Sequence, residues 1–355
     1  MAEFTLDALG WNEWFASQSS RCGGNDGIAR VAAVDRDQLL LVGKPGFFRA
    51  RPSGKYLHES ADALQRPCVG DWVCVEKTAQ DQFGVVHAVL DRRTSLRRKA
   101  PGASVEYQMI AANVDFVIVV QSCHYDFNLK RLERYLVMVK DGGAIPLVLL
   151  TKIDLIAPDV LAAQIAEIRS AGITEPVVAL SNVTQEGVDL LRSVLAPGKT
   201  YCLVGSSGVG KSTIINALMG RDVHETRDVS GTGEGRHTTV RRELDLLENG
   251  AMVIDNPGMR EFGVFGAEGG IEASHPDILA LAPQCRFRDC THTNEPGCAV
   301  LAGLDSGRIS GDHYQSFVTL TKESEYYRMS YAERRKKDRD FGRFIKSAKK
   351  DLEDD

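Results

Sequence analysis

Nine consecutive residues in the middle of the chain carry the clearest chemistry: Gly205, Ser206, Ser207, Gly208, Val209, Gly210, Lys211, Ser212 and Thr213. They fit the pattern G-x-x-x-x-G-K-[ST], with an apolar run at 201–204 before them and a helical-looking segment at 213–219 after them. Each residue type has a task at that spacing. The glycines let backbone N–H groups turn inward around a phosphate, Lys211 reaches the terminal phosphates, and the Ser212 hydroxyl can ligate Mg²⁺. A glycine-rich turn with an incidental Lys-Ser is the plain alternative, and the strand-before, helix-after context weighs heavily against it. The pattern predicts a nucleoside triphosphate site.

A second set of residues refines that reading. Two strand-like runs at 241–248 and 251–254, joined by Asn249-Gly250 as a hairpin, lead into Asp255-Asn256-Pro257-Gly258. An Asp at a strand end with a Gly shortly after it is what a nucleotide switch needs, a carboxylate holding Mg²⁺ through water and a flexible N–H for the γ-phosphate. Between this element and the phosphate loop lies a polar, Gly-rich stretch, 221–240, that contains His237, Thr238 and Thr239. Upstream, Thr151-Lys152-Ile153-Asp154 resembles the guanine-recognition motif of GTPases, usually Asn-Lys-x-Asp. Asp154 would accept from two guanine donors and Lys152 would pack along the base. Ser181-Asn182 resembles the last guanine-contacting element, whose backbone N–H meets the base oxygen. In common GTPases both elements follow the D-x-x-G; here they precede the phosphate loop, so the chain reads as a circular permutation.

Cys285, Cys290, His292 and Cys298 form a C-x₄-C-x-H-x₅-C set within fourteen residues. Three thiolates and one imidazole complete a tetrahedral Zn²⁺ site with no open position, so the metal is expected to be structural, one per chain. Short spacing and the Pro296-Gly297 turn favour zinc over disulfides. The other cysteines, Cys22, Cys68, Cys74, Cys123 and Cys202, are scattered and read as small buried hydrophobes in a reducing compartment.

The elements that must position these groups fall into four stretches. Residues 1–27 read as an N-terminal arm, polar and Ser/Gly-rich toward its end, and therefore expected to be mobile. Short apolar runs at 29–34, 38–42, 46–49, 69–76 and 84–90 predict a small closed β-barrel over 28–100, with the OB-fold the best match of that size. At its end Arg92, Arg93, Arg97, Arg98 and Lys99, five basic residues in eight, read as a loop able to clamp an RNA backbone. Residues 101–265 alternate strand and helix signals, with strands at 114–121, 146–150 and 176–180 and helices at 128–141 and 160–171, which means a mainly parallel sheet with its ligand at the strand C-terminal edge. Residues 266–355 carry the zinc set between helices expected at 274–282 and 312–329, and end in a tail rich in Lys and Arg with Phe341 and Phe344 interleaved. The flanking helices are short of apolar residues for an independent core, so zinc is expected to supply much of this region's folding free energy. The fold class is thus multidomain: an N-terminal OB-fold barrel, a central permuted α/β P-loop domain and a C-terminal, mainly helical zinc-binding domain.

At 355 residues with a net charge of -5, the chain has no global pull toward nucleic acid, so RNA binding rests on local patches. Its apolar runs are too short to span a bilayer and its N-terminus lacks a basic, apolar leader, so a cytoplasmic protein without a membrane partner is expected.

The permuted order of motifs, the barrel before it and the zinc set after it resemble the ribosome small-subunit-dependent GTPase A (RsgA) family, over essentially everything from Ile28 to the basic tail. The resemblance implies a GTPase, monomeric, that cycles between GTP and GDP and acts as a switch or checkpoint in late assembly of the small (30S) ribosomal subunit. It also implies binding of 16S rRNA through barrel and zinc domain, and hydrolysis stimulated by the subunit. It favours His237 as the residue that orients the attacking water, with Thr238 or Thr239 completing the Mg²⁺ ligands. Two positions depart from the usual pattern. Thr151 stands where Asn is usual, a loss of about 0.5–1.5 kcal/mol if one contact to the base disappears. Asn256 replaces a common Thr at a position not expected to touch the nucleotide. Met259 stands where many GTPases place a glutamine; a thioether cannot orient water, so intrinsic hydrolysis is expected to be slow. Two other readings are open: an RNA-binding scaffold in which nucleotide is structural, and a generic P-loop ATPase or kinase, which Asp154 disfavours.

Overall fold

The computed structural model describes residues 4–24, 27–35, 38–60, 62–77, 83–99, 107–220, 242–256, 264, 266–329, 333 and 339. They divide into two compact units, Met1–Phe262 and Gly263–Asp355.

The first unit begins with the arm, which is docked rather than loose. Asn12 caps the short helix α1 (Glu13–Ala16) by accepting from the Trp14 N–H. Leu6, Leu9 and Phe15 are buried, and Trp11 meets Trp72 edge-on at 4.8 Å between centroids. Sequence alone reads this stretch as polar and mobile because its anchoring partner, Trp72, lies some sixty residues on. Cys22 and Cys74 are also not the separate hydrophobes expected: they are joined as a disulfide with their Cα atoms 4.8 Å apart. Cys68, Cys123 and Cys202 are buried thiols, as expected.

Five strands follow: β1 (Ile28–Val34), β2 (Leu39–Gly43), β3 (Gly46–Pro52), β4 (Trp72–Lys77) and β5 (Phe83–Val89), with helix α2 (Gly54–Glu59) between β3 and β4. β1 pairs with β2, β2 with β3, β3 with β5 in parallel, β5 with β4, and β4 back with β1, so the sheet closes. Its interior holds Ala29, Val31, Leu41, Val73 and Val86. The guanidinium of Arg30, 1 % exposed, donates to the carbonyls of Leu9 at 2.6 Å, Gly70 at 3.2 Å and Asn113 at 2.9 Å. One side chain therefore ties arm, barrel and the entry to the next sheet, and its burial lowers its pKa to about 10.

The basic stretch expected as a loop is largely strand: β6 (Ser95–Lys99) pairs antiparallel with β7 (Tyr107–Ala112) outside the barrel. The central sheet is then built from β8 (Phe116–Ser122), β9 (Ile145–Thr151), β10 (Val177–Leu180), β11 (Thr200–Gly205), β12 (Glu243–Leu246) and β13 (Met252–Asp255). They are connected by α3 (Leu129–Asp141), α4 (Pro158–Ser170), α5 (Val188–Val194) and α6 (Lys211–Met219). The order is β10-β9-β8-β11-β13-β12, parallel except for β12, which forms the expected hairpin with β13. Residues 117–120 are fully buried, as a parallel strand covered on both faces requires. β12 also pairs with β1 through Ala33 and Glu243, so barrel and central sheet run into one another.

The second unit is helical: α7 (Glu268–Ser274), α8 (Pro276–Leu281), α9 (Ala299–Asp305) and α10 (Gly311–Arg328). The helix expected over 274–282 is α8, which starts at Pro276 because the residue before a proline, His275, is pushed out of the helical region; α7 lies almost wholly upstream of the expected range. The unit's buried apolar side chains include Ile271, Ile278, Leu281, Val300, Ile309 and Phe317. Among the described residues no helix is long and apolar enough to cross a membrane.

Candidate nucleotide site and metal cluster

Because β8, β9, β10, β11 and β13 are parallel, their C-terminal ends share one edge, which places Asp154, the Ser181-Asn182 turn, the 205–213 loop and Asp255 along it. Gly205, Gly208 and Gly210 have φ of 150°, 79° and 99°, the left-handed backbone that lets the loop curl its N–H groups inward. A Cβ on Gly205 would lie 2.3 Å from the Val120 carbonyl oxygen, and one on Gly210 would lie 3.1 Å from Asn182 Nδ2. The loop thus sits tight against β8 on one side and the Ser181-Asn182 element on the other. Ser207, Gly208 and Thr213 are exposed, Ser206 is half-buried and Val209 is buried.

Lys211 opens α6 and folds back over the loop, donating to the carbonyls of Gly205 at 2.9 Å and Ser206 at 2.6 Å. Burial lowers its pKa from the ordinary lysine value to about 8. A phosphate beside this ammonium would raise that pKa again, so the bound state holds more protons than the free one between the two values. GDP affinity is therefore expected to be highest below pH 8 and to fall as pH rises through 8. Calorimetry in buffers of different ionisation enthalpy checks this, with proton uptake on binding near pH 8.5 as the expected result.

Ser212 Oγ lies 3.4 Å from Asp255 Oδ2, and Asp255 is 1 % exposed. A hydroxyl and a carboxylate converging at the loop are hard oxygen donors of the kind Mg²⁺ takes. Asn256 is buried and accepts from Arg242 Nε at 3.0 Å. Gly258, His237, Thr238 and Thr239 lie outside the described residues.

Ser181 Oγ donates to Asp154 Oδ1 at 2.5 Å while accepting from the N–H groups of Val183 and Thr184. That one hydroxyl orients the carboxylate and folds the turn around Asn182. Thr151 behaves differently from a base-contacting residue. Fully buried, it donates its hydroxyl to the Val209 carbonyl at 2.7 Å and thus stitches β9 to the phosphate loop. Lys152 follows it in the left-handed region, φ 59°.

In the second unit the ligand atoms of Cys285, Cys290, His292 and Cys298 all lie within 4.8 Å of one another. Cys285 Sγ is 3.9 Å from Cys298 Sγ, and both sulfurs are 3.5 Å from His292 Nδ1. A tetrahedral zinc with bonds of about 2.3 Å to sulfur and about 2.0 Å to nitrogen spaces its ligands by about 3.8 and 3.5 Å, so the donor set fits the ion. Backbone N–H groups of Ala299 and Leu301 point at Cys285 and Cys298 sulfur, which favours thiolates, and Tyr314 donates to the His292 carbonyl at 2.7 Å.

The fold has solved counterparts. YjeQ from Thermotoga maritima superposes with a TM-score of 0.62 at 24 % identity, covering 83 % of this chain and 97 % of that one. YloQ, described as a circularly permuted GTPase, gives 0.62 at 23 %, covering 86 % and 96 %. A family model for the RsgA GTPase matches residues 89–265. The small ribosomal subunit biogenesis GTPase RsgA of Opitutus terrae is 41 % identical over 333 residues, 91 % of this chain and 90 % of the relative. Its namesake in Methanosarcina acetivorans is 45 % identical over 322 residues, covering 89 % and 85 %. The chain belongs to the RsgA GTPase family.

Within this RsgA chain the basic run is already partly committed. Arg92 makes a two-pronged ion pair with buried Asp71, both contacts at 2.8 Å, and donates to the Leu64 and Arg66 carbonyls. It holds the barrel's end in place. Arg93 pairs with Asp115, Arg97 with Asp141 at 2.9 Å and Arg98 with Gln108 at 3.0 Å. Spacing alone cannot reveal these partners. It also passes over the β8–α3 turn, where His124 and Tyr125 stand exposed at the same sheet edge; the only signal there is an aromatic just past a strand end.

Proposed function

We propose that this protein is a GTP hydrolase that acts as a switch in late assembly of the small (30S) ribosomal subunit. The observation that carries the reading is the meeting of Asp154, Lys211, Ser212 and Asp255 at one sheet edge from three strand ends, those of β9, β11 and β13, in permuted order. In this reading Gly205 to Thr213 cradle the phosphates, Lys211 exchanges its loop carbonyls for phosphate oxygens, and Asp154, held by Ser181, accepts from guanine. Ser212 and Asp255, with Thr238 or Thr239, would hold Mg²⁺, which would supply charge neutralisation for the phosphates. Gly258 offers its N–H to the γ-phosphate and His237 orients the attacking water. Thr151 supports the loop rather than the base, so guanine choice rests on Asp154 and the Ser181-Asn182 turn.

The cysteine–histidine cluster is assigned to one structural Zn²⁺. The partner is the small subunit and its 16S rRNA, met by barrel and zinc unit in a monomer, with no membrane component. RNA contacts of the basic run go to Arg93, Arg97, Arg98 and Lys99, and Arg92 keeps its structural role. The expected location is the cytoplasm. Disulfides are rare there, and the arm's buried Leu9 and Phe15 hold it to the barrel independently of the Cys22–Cys74 bond.

The hydrolysis rate of the purified protein, alone and with isolated small subunits, tests the reading. Slow turnover is expected for the protein alone, with strong stimulation by subunits that weakens as salt rises. Absence of stimulation, together with equal RNA affinity in GDP and in a non-hydrolysable GTP analogue, would favour an RNA-binding scaffold.

A further inference from the structure

The turn between β8 and α3 is pinned on every side. Gln121 both donates to the Asn128 carbonyl and accepts from its N–H, each at 3.1 Å, so the turn is closed across its base. Gln164 from α4 donates to the Cys123 carbonyl at 2.8 Å, and Arg131 pairs with Asp126 Oδ1 at 2.8 Å. At the apex Tyr125 is left 71 % exposed. Its ring faces Lys152, whose ammonium lies 5.7 Å from the ring centroid, within cation–π range. His124 backs the ring at 4.4 Å. Lys152 also has a backbone, φ 59°, that a non-glycine residue adopts only when its surroundings over-determine it.

We propose that Tyr125 is a positioning residue of the nucleotide site, holding the Lys152 side chain in the plane where it packs along the base and the phosphate loop. The inference rests on the guanine reading of Lys152 and Asp154. A long lysine stem otherwise samples many rotamers, and immobilising it in advance removes part of the entropy lost on binding. The role matters more here because Thr151, the neighbour of Lys152, spends its hydroxyl on the phosphate loop. Tyr125 touches no reacting atom. Its effect is on affinity, through Lys152, and the choice of base stays with Asp154.

The test is a double-mutant cycle on the full chain, with GDP and inosine diphosphate as probes. Tyr125→Ala is expected to weaken both about two- to five-fold, the scale of an exposed cation–π contact, leaving their ratio unchanged. Tyr125→Phe should restore wild-type affinity, since the ring is kept. In a Lys152→Ala background Tyr125→Ala should have no further effect. An unaltered GDP affinity in Tyr125→Ala, or an equal loss in both backgrounds, overturns the proposal. Asp154→Asn separates this from the reading beneath it. If that variant leaves the GDP to inosine diphosphate ratio as in wild type, the guanine site itself is misassigned. If the ratio collapses while Tyr125→Ala binds normally, Tyr125 alone is misassigned.

Discussion

Replacing Lys211 by alanine is expected to lower GTP and GDP affinity by at least on the order of 100-fold, with little change in melting temperature. Charged hydrogen bonds contribute about 1.5–3 kcal/mol each, and a phosphate-loop lysine supplies more than one to the terminal phosphates. The stability side is nearly neutral for a different reason. In the free protein the ammonium is buried against the Gly205 and Ser206 carbonyls and its pKa falls to about 8, so its desolvation already offsets much of what those two bonds contribute. A fluorescent-nucleotide titration with a parallel thermal melt separates the two effects. Unchanged GDP affinity would remove the phosphate-loop assignment altogether.

The metal cluster carries the other large effect. Stripping the metal with a chelator, or substituting Cys290→Ser, is expected to unfold residues 263–355 and leave nucleotide binding by the first unit in place. Structural zinc contributes about 10–16 kcal/mol in small domains, comparable with or above the about 5–15 kcal/mol that typical domains have in total. The core it would leave behind is modest, with Val264, Ala267, Ile309, Val318 and Leu320 buried beside Ile271, Ile278, Leu281, Val300 and Phe317 among the described residues. Metal analysis and far-UV circular dichroism on the full chain check this. One zinc per chain retained by the Cys290→Ser variant would contradict the four-ligand assignment.

Both predictions rest on residues legible in the sequence. Gly205 to Thr213 and Cys285 to Cys298 are short patterns in which neighbours in the chain are neighbours in space, so spacing alone specifies which groups converge. The same holds for the β12–β13 hairpin, set by Asn249-Gly250, and for the barrel strands, set by apolar runs between turns. The start of α8 just after His275 was also local, and follows from Pro276 once that proline is given its due weight.

What escaped the sequence involves partners far apart in the chain. Cys22 meets Cys74, Trp11 meets Trp72 and Arg30 gathers Leu9, Gly70 and Asn113, so the fate of the arm was decided by the barrel's closure. Arg92 looked like a free charge until Asp71 came beside it. Thr151 looked like a weakened base contact until β9 was laid two strands from β11, close enough for its hydroxyl to reach Val209. Tyr125 had no pattern to mark it and gains its meaning only from facing Lys152. The sequence by itself determined which chemistries the chain holds, because those depend on residue types at short, fixed spacing. Only the tertiary structure decided which side chains are spent on one another and which remain for a ligand, because hydrogen bonding and burial are settled by strand order and domain packing, across tens of residues.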